Sequence, residues 1–385
     1  MRPRPSHTAP LLLFAAVLSS CGSLKLGNPP APADDDWQVF GGSAARAGLA
    51  RTAPAPPLQE QWTFDIAAGT GAGSPIVIGG TLLLATLRGD LYALDAVSGH
   101  KIGRLNFNQP IAGSPAVRGV QAILGLGGPQ GILLSFDLVR GKVDWQHEYG
   151  DIEATPLLLN QHVYVGTLEG RFLCVNIHTG EIAWEFTLPD NQSRKGIRSS
   201  AAAAESTIVF GADDGAVYAL DQRTGAQRWR VLIGASVYAT PALAGDIAVT
   251  VSTGGTVHAI SLGTGEQRWM FDAASPVTAP AVVADGYAVV FTAGGHACCL
   301  DLQGGVPRWT TALGGPVTGG AVVAGKNLFV GTLRRELIAI ALATGDVVWR
   351  TGLTGRCKSA LAAASGRILV ATDDQSLHCF TEEVR

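Results

Sequence analysis

Ala219-Leu220-Asp221-Gln222-Arg223-Thr224-Gly225-Ala226-Gln227-Arg228-Trp229 is the stretch on which the fold turns. An apolar strand runs into Asp, Thr-Gly follows, and a Trp sits on the returning strand. Gly accepts a positive φ and Asp can bond the local backbone, so the centre reads as a tight turn. The frame returns as Val175-Asn176 with Thr179-Gly180 and Trp184, as Thr264-Gly265 with Trp269, as Gly304-Gly305 with Trp309, and as Thr344-Gly345 with Trp349. Degenerate copies lie at Ala93-Leu94-Asp95 with Ser98-Gly99, and at Phe136-Asp137 with Arg140-Gly141 and Trp145. In the first of these Gly103 stands where Trp is expected.

The period is about forty residues. Most repeats open on Ser-Pro or Thr-Pro (Ser74-Pro75, Ser114-Pro115, Thr155-Pro156, Thr240-Pro241), continue through a strand such as Val163-Tyr164-Val165-Gly166-Thr167, and turn at glycine. Four β-rich segments per repeat describe a propeller blade. Their apolar runs are nearly continuous, as befits sheets covered on both faces. Counted from the Pro entries and their degenerate equivalents there are eight units, so the expectation is an all-β, eight-bladed propeller of four-stranded antiparallel blades over residues 58–385. The last unit ends at Leu377-His378-Cys379-Phe380 without a Trp strand, while Gln61-Trp62-Thr63-Phe64 is a spare one. The N-terminal strand is therefore expected to complete the last blade, which removes the open sheet edge.

Composition agrees. Charged residues are 15% of the 385, glycines number 49, and methionines only 2, a profile of short strands and tight turns. The net charge of −3, with no long basic run, argues against nucleic acid.

Residues 1–20 read as an export signal: Arg2 and Arg4, then an apolar run over 11–18 too short to span a bilayer. Leu18-Ser19-Ser20-Cys21 resembles a bacterial lipobox, which makes Cys21 the expected lipidation site; Gly22 after it favours the outer membrane. Residues 21–57, with Pro29, Pro30, Pro32, Pro54, Pro56, Pro57 and Asp34-Asp35-Asp36, lack apolar periodicity and read as a tether. Trp37-Gln38-Val39-Phe40-Gly41-Gly42 interrupts it and is expected to dock on the folded body.

Motifs for catalysis are missing: no haem-binding Cys-x-x-Cys-His, nucleophile elbow, zinc-protease helix or P-loop occurs. Six cysteines in an exported chain suggest disulfides, yet Cys174, Cys299 and Cys379 occupy the slot of Ala219 and read as small core residues. Cys298-Cys299 are neighbours on one strand and should point to opposite faces. Asp213-Asp214-Gly215 and Asp373-Asp374-Gln375 resemble fragments of calcium loops but fall at hairpin turns. Neither a metal nor a cofactor is expected. The basic cluster Arg194-Lys195-Gly196-Ile197-Arg198 ends the longest inter-strand insertion.

The Trp and Thr-Gly repeat resembles those of quinoprotein-like propellers. Taken with the lipobox, it resembles most the BamB family of outer-membrane assembly lipoproteins. Lys195-Gly196-Ile197-Arg198-Ser199-Ser200 is similar to the loop with which that family contacts the membrane-embedded BamA subunit. The resemblance implies a non-catalytic scaffold on the periplasmic side of the outer membrane, whose partners are a BamA-like barrel subunit and nascent outer-membrane proteins. One departure is that Ser236 and Tyr238 stand where the family has two Asp residues. Two other readings use the same blade: a quinone-dependent dehydrogenase, which needs insertions to roof its cofactor, and an extracytoplasmic propeller binding another protein or a glycan.

Aligning the repeats on their Pro entries defines one slot before each inner strand. It holds Ala72, Ala112, Glu153, Arg198, Tyr238, Val277, Val317 and Cys357. Consecutive blades are neighbours, so Glu153, Arg198 and Tyr238 should adjoin at the channel mouth. With Lys195 and Ile197 they form the expected partner-binding set.

Overall fold

The computed structural model describes residues 23–52, 54–189 and 196–383, and every regular element among them is a β-strand. The strands form eight sheets, one per repeat. Blades 1 to 8 are numbered here by their innermost strands: Ile76–Ile78, Ala116–Arg118, Leu157–Leu159, Ala202–Ala204, Ala242–Ala244, Val282–Ala284, Val322–Ala324 and Ala362–Ala364. In blade 4 the antiparallel register sets Ala202 opposite Val209, Val209 opposite Ala219, and Ala219 opposite Trp229. Blade 8 takes its outer strand, Leu58–Asp65, from the N-terminal side, with Trp62 opposite Cys379. The ring closes as the unpaired last repeat requires.

The repeat motif explains how blades join. The Asp221 carboxylate accepts the N–H groups of Arg223 and Thr224 at 3.1 and 2.9 Å, and Gly225 follows with φ +72°. A Cβ on Gly225 would also come within 2.5 Å of the Trp184 ring of the preceding blade, so glycine is needed twice over. Five of the repeat Trp residues donate the indole N–H to a turn carbonyl of the following blade: Trp145 to Ile177 at 2.8 Å, Trp184 to Gln222 at 3.2 Å, Trp229 to Leu262 at 2.9 Å, Trp269 to Leu302 and Trp309 to Leu342 at 2.8 Å. The Trp thus stitches neighbouring blades with a buried ring and one hydrogen bond.

Blade 1 lacks that stitch at Gly103, and the N-terminal segment supplies it. Leu26 N–H donates to Leu138 O of blade 2 at 2.7 Å, the carbonyl an indole would otherwise reach. Leu24 packs over Gly103, and the Leu24 carbonyl lies against Gly141, in the place where other turn glycines meet a Trp ring. Both leucines are buried.

This corrects the reading of residues 21–57 as a free tether: from Ser23 onward the described chain is laid on the ring. After blade 1 it enters the axial channel. Trp37 pairs with Val77 and is buried, so the docking expected for that segment occurs. The carbonyls of Ala44, Ala45, Ala47 and Gly48 then accept N–H groups from Ala203, Leu243, Val283 and Val323, the middle residues of four successive inner strands. Leu49–Ala50 adds a short parallel strand to blade 7. Inner strands leave one edge unpaired, and in blades 4 to 7 the carbonyls of this plug satisfy it. Arg46 sits inside the plug, donating to the carbonyls of Phe40, Ala201 and Pro156, and burial pulls its pKa down to about 9.

Strand direction sorts the loops onto two faces. Links between blades and the hairpins at 212–215 lie at the mouth end. The Thr-Gly turns, and the N-terminal stitch, lie at the opposite end.

Candidate docking site at the channel mouth

From blade 2 onward each link between blades places an apolar residue under the mouth and presents the next side chain into it. In blade 4 these are Ile197 and Arg198. Ile197 N–H donates to Thr167 O at 3.0 Å, and a Cβ on Gly166 would lie 2.3 Å from its side chain. At 0% exposure Ile197 is a wedge between blades and presents nothing to a partner, which corrects its place in the expected binding set. Lys195 and Arg194 lie outside the described residues.

Arg198, Glu153 and Tyr238 come together. Arg198 donates from Nη1 to Glu153 Oε2 at 2.6 Å and from Nε to Asp213 Oδ2 at 3.2 Å, while its guanidinium lies 5.9 Å from the Tyr238 ring centroid. Burial works to lower the Arg198 pKa, but Glu153 and Asp213 outweigh it and the pKa rises. The cation is therefore fixed and permanently charged. Its side chain is 38% exposed and that of Glu153 is 41%, so the pair is worth at most about 1 kcal/mol to stability. Asp213 joins this site although its sequence context suggested only a turn. Its N–H donates to Gly196 O, which brings the hairpin of blade 4 against the link of the same blade.

The rest of the slot is shifted by one from the expected alignment. Val277, Val317 and Cys357 are buried wedges equivalent to Ile197. The residues facing the mouth are Thr278, Thr318 and Lys358 instead. Pro280 caused the slip: it stands in the place of Thr240, one residue earlier than the Pro of other repeats. The far side of the mouth is thus polar. There Lys358 Nζ lies 3.1 Å and Arg356 Nε 2.7 Å from Asp373 Oδ2; against the opposing effect of burial, these contacts bring the Asp373 pKa down to about 2. Asp373 occupies in blade 8 the position of Asp213 in blade 4, diametrically across the ring.

The mouth leads only to a shallow cavity of about 70 Å³, floored by Phe40 of the plug. Organic ligands of cofactor size occupy roughly 300–1,000 Å³. Cys298 and Cys299 face different inter-blade cores, as alternation on a strand demands, and the five described cysteines are all free and buried. Burial pushes the Cys299 thiol up to about 12. No group of three or more metal-binding side chains occurs among the described residues.

The sequence profile of the family described as outer membrane protein assembly factor BamB matches residues 56–194, 128–236, 213–319 and 299–383. The BamB of Bordetella pertussis is 25% identical over 203 residues, 52% of this chain and 50% of that protein. The chain spans about half the length of curated relatives of this kind. Among solved structures, BamB from Moraxella catarrhalis superposes with a TM-score of 0.73 at 18% identity, over 84% of this chain and 99% of that one. Quinohemoprotein alcohol dehydrogenase from Comamonas testosteroni superposes with a TM-score of 0.76 at 14% identity, over 92% and 82%. At such identities the two structures speak for the propeller fold alone. The profile matches run through every blade, and on that ground the chain belongs to the BamB family of outer membrane protein assembly factors.

Proposed function

We propose that this chain is a non-catalytic subunit of the machinery that assembles β-barrels in the outer membrane. A lipid on Cys21, exposed by removal of residues 1–20, holds it there facing the periplasm. Its partner is the membrane-embedded, BamA-like barrel subunit, and nascent outer-membrane proteins pass close to the pair. The observation that carries this reading is the arc of Glu153, Arg198 and Tyr238 at the mouth. Arg and Tyr are frequent anchors of protein interfaces, and here both are half-exposed and held in place by neighbours. Lys195, three residues earlier, extends the same arc in sequence.

The quinone-dependent reading has the shared blade in its favour and the axis against it. The plug backbone lies along the inner strands, and the cavity left at the mouth is only about 70 Å³.

The test is affinity capture from detergent-solubilised envelopes. Losing an anchor costs about 2 kcal/mol, or roughly thirtyfold in affinity. Arg198→Glu should therefore abolish co-purification of the barrel subunit while the melting temperature stays nearly unchanged. Undiminished capture by the variant would move the docking site elsewhere, and quinone-dependent dye reduction by the pure protein would favour the enzyme.

A further inference from the structure

We propose that the outer rim of blades 1 and 2 is the edge of the ring that rests on an anionic lipid surface. This deepens the anchored reading above and rests on it for the natural attachment.

Two independent features meet at this rim. The first is where the chain enters. Residues 24–26 are stitched between blades 1 and 2, so Ser23 is fixed there and Cys21 precedes it by two residues. Two residues reach at most about 7 Å. A lipid on Cys21 is thereby tied to this one place on the circumference and cannot swing to another blade.

The second is charge. The residue after each turn glycine projects from the rim and is exposed at each of the positions that follow. In blades 1 and 2 it is His100 and Lys142; in blades 3, 5 and 7 it is Glu181, Glu266 and Asp346. Lys101 and Lys25 add two more exposed amines beside the stitch. Arg140, also here, is neutralised by Asp137 and Asp144. Exposed Ile102 and Val143 lie between the lysines. Elsewhere on the rim Arg228, Arg268 and Arg308 are each paired with an Asp, and Arg223 is a single exposed cation in the turn of blade 4. A cationic patch with apolar tips fits the headgroup layer of an anionic bilayer. The docking mouth opens on the opposite face and stays clear of the lipid.

The experiment supplies the anchor chemically. Because the described cysteines are all buried, the whole chain can be coupled through Cys21 to a maleimide-bearing phospholipid in phosphatidylethanolamine–phosphatidylglycerol vesicles. Acetylation rates of individual lysines are then read by mass spectrometry, with and without vesicles. Lys25, Lys101 and Lys142 should slow at least threefold, while Lys326 and Lys358 keep their rates. Lys101→Glu with Lys142→Glu, exposed changes that spare the core, should return Lys25 to its vesicle-free rate. Equal slowing of all lysines, or slowing confined to Lys326 or Lys358, overturns the proposal. The natural anchor is read separately, by whether Cys21→Ser made in cells still floats with membranes.

Discussion

Gly103→Trp puts back the residue that the repeat expects and sets it against the segment that replaced it. A Cβ alone at Gly103 would come within 3.0 Å of Leu24 Cα and of Ser23 O, so an indole and the segment cannot share the slot. The segment is held by two buried leucines, each worth about 1.5–3 kcal/mol. Two backbone hydrogen bonds, Leu26 to Leu138 and Arg104 to Ser23, add about 1 kcal/mol each. Ordering the three residues 24–26 costs about 1.5 kcal/mol per residue. The balance is about 2 kcal/mol, a protection of roughly thirtyfold for the Leu26 amide. The indole wins this contest because it brings a larger apolar surface and its own donor for Leu138 O at little backbone entropy. Hydrogen exchange should show the Leu26 amide exchanging at least tenfold faster in the variant, with global stability changed by less than about 2 kcal/mol. A folded variant whose Leu26 amide keeps its protection would refute the idea that the segment stands in for the missing Trp.

Trp269→Ala removes a buried ring and its bond to Leu302 O, and should destabilise the ring by about 3–5 kcal/mol in denaturant titration. Asp373 has its pKa depressed to about 2, so its contribution is fully present above the unfolded value near 3.8 and is lost as pH falls through about 2. Asp373→Asn should accordingly be less stable than the parent at pH 7, and the difference should vanish as the pH is lowered to about 2, measured by denaturation at each pH. Thiol reagents should reach at most Cys21 in the native protein and all six cysteines only after unfolding; fast labelling of Cys298 in the native state would contradict its burial.

The ring was legible because its cause is local and repeated. A turn Gly recurs at fixed spacing, with Asp before it in several repeats and a Trp after it in all but blade 1, so the closure by Leu58–Asp65 followed from a simple mismatch at the two ends. The plug was not legible for the opposite reason. Residues 44–48 bind through carbonyls to the N–H groups of inner strands, and backbone pairing leaves no side-chain signature. At the mouth, Glu153, Arg198 and Tyr238 were found because the first five repeats keep their register. Pro280 broke it for the remaining three, hiding Thr278, Thr318 and Lys358 behind buried neighbours. Ile197 misled in another way: beside an Arg it resembles part of a loop, whereas its equivalents Val237 and Val277 show an apolar wedge recurring at that place. Asp213 could have been found by noting that blade 8 repeats its Asp-Asp opposite another basic link.

The closure of blade 8 also dictates an order of events. His378 and Glu60, in contact across that seam, are 318 residues apart in sequence. Pairings so distant form slowly, since a long loop must close before any bond rewards it. Strand Leu58–Asp65 is made early in synthesis yet has no partner until nearly the whole chain has followed. Through that interval it presents an unpaired edge, the kind of surface on which chains aggregate. A chain cut short before Ser376 would keep that edge open for good, because among the described strands only Ser376–Glu382 pairs with Leu58–Asp65.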